Sequence, residues 1–152
     1  MVYLSTLEGC DPLAHRDIAA TPNIWPVNLH GGYVSSEFGY RVHPVSGKRK
    51  LHEGIDLAVD EGTPVVVTAD GVVEFAGQEK GYGNIVRVDH GVGLVSAYAH
   101  NFKLLVQTGE LVKKGQIIAL SGKTGVVTGE HLHYEIRYRG KPLDPRRVLP
   151  SQ

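Results

Sequence analysis

The sequence predicts an all-β protein: a single compact domain of antiparallel strands, barrel-sandwich-like with an open groove, preceded by an irregular N-terminal arm. Three observations carry this expectation. Valine is the commonest residue, at 20 of 152, and glycine, at 19, lies well above an average share of roughly 7%. Valine fits pleated strands and glycine fits tight turns, so the pair reads as short strands joined by sharp reversals. No stretch of a dozen or more residues carries a 3.6-residue apolar period, which removes the helical alternative.

Taken in order, residues 1–32 read as an arm or linker that packs on the domain, with no clear period and at most a short helix near Pro12–Ala20. Strand signals then follow at Gly32–Phe38, Pro64–Thr68, Gly71–Gly77, Asn84–Asp89, Gly93–His100, Ile117–Ser121 and His131–Tyr138. Turn residues separate them, among them Asp60-Glu61-Gly62, Gly81-Tyr82-Gly83, His90-Gly91 and Arg139-Gly140. The Asp70-Gly71 pair between Val65–Ala69 and Val72–Phe75 predicts a hairpin. A single helical turn is expected around Pro145–Leu149.

Composition removes several functions. Lys+Arg and Asp+Glu both number 16, so the chain has no basic excess with which to neutralise nucleic-acid phosphates, and no nucleic-acid partner is expected. No apolar run approaches a membrane span. One cysteine, Cys10, permits neither an internal disulfide nor a cysteine-rich zinc site. The opening residues lack the basic and apolar segments of a signal peptide, so for an exported protein this chain is expected to be a mature or truncated form. Leu7-Glu8-Gly9-Cys10 resembles a lipoprotein acylation site, but Glu8 and the missing apolar run count against it.

Chemistry is concentrated in the 8 histidines. In His131-Leu132-His133-Tyr134-Glu135-Ile136-Arg137-Tyr138 polar and apolar residues alternate without exception. A strand places His131, His133, Glu135 and Arg137 on one face and the apolar set on the core face. Residues two apart lie about 7 Å from each other at Cα, a spacing that lets one imidazole of the pair bind a metal while the other reaches its water. Taken alone, H-x-H more often marks an ordinary half-buried strand. In His52-Glu53-Gly54-Ile55-Asp56 a regular strand would hold His52 and Asp56 about 13 Å apart, so sharing an ion requires an irregular bend, which Gly54 supplies. His52, Asp56 and His133 together offer two neutral nitrogens and a carboxylate, the donor set of a catalytic zinc site with an open fourth position. Strand geometry by itself lets either His131 or His133 be the ligand. His100 ends a strand as Tyr98-Ala99-His100, and with His131 is suited to proton transfer. His43 and His90 read as structural, and His15 and His30 carry no motif.

H-x-x-x-D, then Tyr-Ala-His, then H-x-H, in that order, resembles the lysostaphin/LytM-type zinc metallopeptidases, the peptidoglycan endopeptidases. Ser36–Arg41, His52–Leu57, Gly62–Val65, Gly81–Asn84, Gly122–Gly125 and Thr128–Glu135 are similar to segments of that family, and the likeness runs from about Trp25 to Leu149. It implies a zinc peptidase domain over 33–152 with one Zn2+ per chain, held by His52, Asp56 and His133. It implies catalytic roles for His131 and His100. The implied substrate is the peptide stems or cross-bridges of peptidoglycan, and the implied location is the periplasm or cell surface. The expected state is a monomer. Two departures bear on the cleft: Val127-Thr128-Gly129-Glu130 where many members have Ser-Thr-Gly-Pro, and Asn101 where many have Leu. Some relatives have lost zinc residues and only activate other wall hydrolases, whereas this chain keeps every one. A lipoyl- or biotinyl-like carrier or binding module is the other alternative, suggested by Thr108–Ile118. Its candidate modification site, Lys123, lacks the acidic or methionine neighbours of such a tip. Asp11, Asn23 and Asn28 further suggest an arm that folds over the groove and lowers activity.

Overall fold

The computed structural model describes residues 18–42, 45–127 and 129–151. Its strands are β1 (Tyr33–Ser36), β2 (Gly39–Val42), β3 (Arg49–His52), β4 (Ile55–Ala58), β5 (Pro64–Val66), β6 (Gly71–Glu79), β7 (Gly83–Asp89), β8 (Leu94–Leu104), β9 (Leu111–Val112), β10 (Ile117–Ser121), β11 (Leu132–Tyr138) and β12 (Lys141–Leu143). Helical structure among the described residues is limited to the 3-10 turns Ile18–Ala20 and Pro145–Arg147, the second capped by Asp144. The expected strands are present, and β10 has the expected bounds. β2, β3, β4, β9 and β12 are strands that the sequence did not signal.

A 10-stranded antiparallel sheet runs β1-β4-β11-β8-β7-β6-β9. The spine is β8, whose residues Leu94–Ala99 pair with β11 while Val95–Asn101 pair with β7. Past the end of that pairing, Asn101–Leu104 pair with β10, which in turn pairs with β5. β2 and β3 form a separate hairpin. The buried cluster includes Ile55, Leu57, Val65, Val67, Val88, Tyr98, Ile118, Leu132, Tyr134 and Ile136. Each such side chain contributes about 1.5–3 kcal/mol by leaving water.

Two tyrosine hydroxyls reach this core and must find partners there. Thr68 Oγ1 lies 2.7 Å from the Tyr134 hydroxyl and 3.0 Å from that of Tyr98, and Ser96 Oγ lies 2.7 Å from Tyr98. His90 completes the chain, with Nε2 2.7 Å from Ser96 Oγ and Nδ1 donating to the Asp70 carbonyl at 2.8 Å. His90 is therefore structural, as its sequence context suggested.

Asp70-Gly71 does not close a hairpin between β5 and β6. Val67–Asp70 intervene, and Val67 bridges to the 115–116 turn by exchanging backbone hydrogen bonds with Gln116 and Gly115. Asp70 Oδ1 accepts from the Lys114 amide at 2.8 Å. β5 is committed to β10, and β6 to β7 and β9. The described part of the segment before β1 packs against the sheet. Val27 is a core residue with Trp25 and Leu29 packed beside it. The Val66 amide donates to the Pro26 carbonyl, and the Asp70 amide to that of Ala19. Asn23 accepts from the Lys114 ammonium and Asn28 from the His30 amide, so neither side chain lies at the metal-ligand candidates. Asp11 and His15, and most of the Pro12–Ala20 helix, fall outside the described residues, as does His43.

Candidate metal and catalytic centre

Two local departures from regular strand geometry assemble the site. The first lies between β3 and β4, where the chain bends at Glu53-Gly54 and brings His52 back onto Asp56. Gly54 is needed for space. A Cβ there would sit 2.8 Å from Glu135 Cγ and 2.9 Å from His133 Cε1, and closer still to the Tyr134 carbonyl oxygen. β4 therefore packs against β11 at a distance that only a residue without a side chain allows.

The second departure is in β8. Its alternation with β11 pairs Tyr98 with Tyr134 on the core face and Ala99 with His133 on the site face. Continued alternation would turn His100 to the core. Instead the step from Val86 to Asn84 on β7 spans Tyr98 to Asn101 on β8, a bulge with one extra residue, and His100 adopts φ +66°. A left-handed residue of this kind costs about 1–3 kcal/mol and is characteristic of functional positions. It re-aims the His100 ring to 5.0 Å from that of His131 and 5.9 Å from that of His133, between centroids.

β4 and β11 pair Asp56 directly with His133, and His133 Nδ1 lies 2.7 Å from Asp56 Oδ1. His52 Nε2 is 3.3 Å from Asp56 Oδ2. Donor atoms of His52, Asp56 and His133 all lie within 4.8 Å of one another. His131 stands beside them, with Nε2 3.9 Å from Asp56 Oδ1. The structure thus brings together every site residue named from the sequence. The groove in front of them is also lined by Arg41, Tyr82, Val126 and Val127.

Each imidazole is oriented by a group behind it. The carbonyl of Glu37 only accepts, so His52 Nδ1, 2.9 Å away, carries its proton and leaves Nε2 facing Asp56. By the same reasoning His100 Nδ1 donates to the Thr124 carbonyl at 2.8 Å, and His131 Nδ1 to that of Gly129 at 3.1 Å. His133 uses a carboxylate: its Nε2 lies 2.7 Å from Glu135 Oε2. Glu135 is itself buried and bound by the Tyr82 hydroxyl at 2.8 Å and by Arg137 Nε at 2.8 Å, and Arg137 also pairs with Glu53. Glu135 and Tyr82 were given no role in the sequence. The period-2 face carrying His133 does include Glu135 and Arg137. Nothing local marks Tyr82 beyond its turn.

Charge follows this geometry. Burial would raise the Asp56 carboxyl, but hydrogen bonds from His133 and His52 outweigh it and hold Asp56 well below the ordinary carboxylate range. Burial opposes a charged His133 as well, yet its hydrogen bonds to Asp56 and Glu135 push it up to about 9. Burial of Glu135 is likewise outweighed by His133 and Arg137, which bring it down to about 2. His100 is pushed down by burial and by the neighbouring His131 and His133. Burial and the adjacent Glu135 carboxylate push the Tyr82 phenol up to about 12, so it remains a hydrogen-bond donor.

The sequence profile described as Peptidase family M23 matches residues 50–145. The chain belongs to this peptidase family. It is 46% identical over 119 residues to the DD-carboxypeptidase/endopeptidase Mpg of Neisseria meningitidis serogroup B, covering 78% of this chain and 27% of that protein. It is also 46% identical over 129 residues to the murein hydrolase activator NlpD of Salmonella dublin, covering 84% of this chain and 31% of NlpD. The chain thus spans about a third of these curated relatives or less. Among solved structures, a zinc-containing peptidase from Vibrio cholerae superposes with a TM-score of 0.76 at 38% identity, over 85% of this chain and 39% of that one. The catalytic domain of lysostaphin from Staphylococcus simulans superposes at 0.70 and 30% identity, over 78% and 92% of the two chains.

Proposed function

We propose that this domain is a zinc-dependent endopeptidase that hydrolyses peptide cross-links of bacterial peptidoglycan, in the periplasm or at the cell surface. One observation carries the reading. Two imidazoles and an ionised carboxylate converge within bonding reach of one ion, with two further imidazoles beside them on the groove. Two nitrogens and one oxygen suit zinc with a position left for substrate or water. His52 through Nε2, Asp56, and His133 through Nδ1 would hold it.

When bound, zinc supplies Lewis acidity to the scissile carbonyl and makes water a competent nucleophile near neutral pH. The chain's own groups manage the protons. His131 Nε2 is the unprotonated nitrogen of a ring fixed by Gly129, and accepts a proton from the attacking water. As the carbon–nitrogen bond breaks, that proton passes to the departing amine nitrogen. His100 is fixed by Thr124 and stands against the His131 ring, where it stabilises the charge that ring acquires. Asp56 leaves a zinc site with less net charge than three histidines would.

Digestion of defined cross-linked muropeptides, with mass analysis of the products, tests this reading. Cleavage that is abolished by a chelator and restored by zinc supports it, and the product masses identify the bond. The similarity to a protein named as a murein hydrolase activator defines the competing outcome. A chain that binds zinc, cuts nothing, and stimulates a separate wall hydrolase would be an activator.

A further inference from the structure

We propose that Arg41 recognises a free carboxylate of the peptide substrate, so that an anionic group near the scissile bond is required for rapid cleavage. This rests on the endopeptidase reading and adds to it the charge of the substrate that fits the groove.

Arg41 lies on β2, and its side chain lines the groove together with His52 and Asp56. Its Nη1 donates to Ser36 Oγ at 2.7 Å, and that oxygen is 3.4 Å from His52 Nδ1. The guanidinium is therefore placed one side chain away from a candidate metal ligand, with its remaining N–H groups uncommitted to any described residue. Three other arginines of the fold pair with carboxylates, Arg87 with Glu79 at 2.6 Å, Arg137 with Glu135 at 2.8 Å and Arg146 with Glu37 at 2.9 Å, while Arg49 and Arg139, away from the groove, lie over the rings of Tyr40 and Tyr138. Arg41 has no such partner among the described residues, although it stands beside the site.

Among the described residues the groove offers no further carboxylate to take that place. Asp56 is the one acidic lining residue among those described, and both its oxygens are already engaged by imidazoles. A divalent ion held by two neutral imidazoles and one carboxylate keeps a net positive charge, to which Arg41 adds another. The planar fork of a guanidinium matches a carboxylate in a two-point contact that a lysine ammonium does not reproduce. A peptide carrying a free carboxylate complements this surface in both charge and shape, and an amidated peptide does not.

The test is a cycle of two proteins and two substrates. The zinc-loaded wild type and Arg41→Gln are assayed on a cross-linked muropeptide with free carboxyl groups and on the same compound with those groups amidated. Amidation should lower wild-type kcat/KM by roughly tenfold or more, mainly through KM, as expected for loss of a charge-assisted hydrogen bond. Arg41→Gln should lose a similar factor on the free-carboxyl substrate, and the two changes together should cost little more than either alone. Arg41→Lys should fall between wild type and Arg41→Gln. Two results would overturn the proposal: indifference of the wild type to amidation, or an equal loss by Arg41→Gln on both substrates. If Arg41→Gln loses zinc, Arg41→Lys and the wild-type comparison still decide, since the latter needs no variant. Failure of the wild type to cut either compound would instead overturn the endopeptidase reading beneath it.

Discussion

His133 Nδ1 lies 2.7 Å from Asp56 Oδ1 because β4 and β11 set the two residues directly opposite each other in antiparallel register. This cross-strand pair is the fixed half of the proposed metal site, and His52 is brought to it by the bend at Gly54. Residues behind these three side chains should consequently affect the metal although they do not touch it.

Glu135→Gln is expected to weaken zinc binding by roughly 10–100-fold while preserving the fold, because the carboxylate behind a ligating histidine fixes its tautomer and raises its basicity. Tyr82→Phe, which removes one hydrogen bond to Glu135, should have a smaller effect in the same direction. Competition with a chromophoric chelator measures both. Wild-type affinity in Glu135→Gln would show that the Glu135 contact is structural only.

Metal uptake should release protons. Without metal His133 titrates at about 9, and zinc requires its Nδ1 unprotonated. Near pH 7.5, binding should therefore release about one proton per chain, and apparent affinity should rise roughly tenfold per pH unit up to that value. Stability of the metal-free chain follows the opposite sign. The raised His133 stabilises fully below its ordinary value of 6.5, and this contribution is lost as pH rises through about 9. The depressed Glu135 stabilises above 4.5, and its contribution is lost as pH falls toward about 2. The metal-free chain should be most stable between those limits, as calorimetric proton release and thermal melts over pH will check.

Gly54→Ala should destabilise by about 1–3 kcal/mol, since the added methyl meets backbone and side chains of β11 that have no room to move. It should also lower zinc content, because the displaced strand carries His133. A thermal melt unchanged from wild type would mean that β4 and β11 tolerate separation.

His100→Gly should be more stable than His100→Ala by about 1 kcal/mol, because φ +66° strains alanine and not glycine. Both variants should cleave at least roughly 10²-fold more slowly than wild type. Equal stability would remove the bulge strain from this account.

The strands and the metal-ligand candidates were legible for different reasons. Strict alternation from His131 to Tyr138 determined which face of β11 met the core, so His133 and Glu135 could be placed from sequence. Short irregular strands such as β2 and β3, with exposed Lys and Arg, carry no such alternation. The bulge at His100 was not legible, because a period of two assigns that residue to the core and only the extra residue in β8 reverses it. Asp70-Gly71 misled because a favourable turn pair does not choose a partner strand, and Val67 was bound elsewhere. The core position of Val27 was not legible, because its proline-rich segment contributes apolar side chains without a period.

The most direct test of the central claim is zinc content measured beside cleavage in four purified variants. His131→Ala and His100→Ala should keep about one zinc per chain and lose activity by roughly 10²-fold or more, with the greater loss in His131→Ala. Asp56→Ala and His133→Ala should lose most of the metal together with all cleavage. Loss of zinc in His131→Ala, or stoichiometric zinc in Asp56→Ala or His133→Ala, would contradict the division between metal-holding and proton-handling residues.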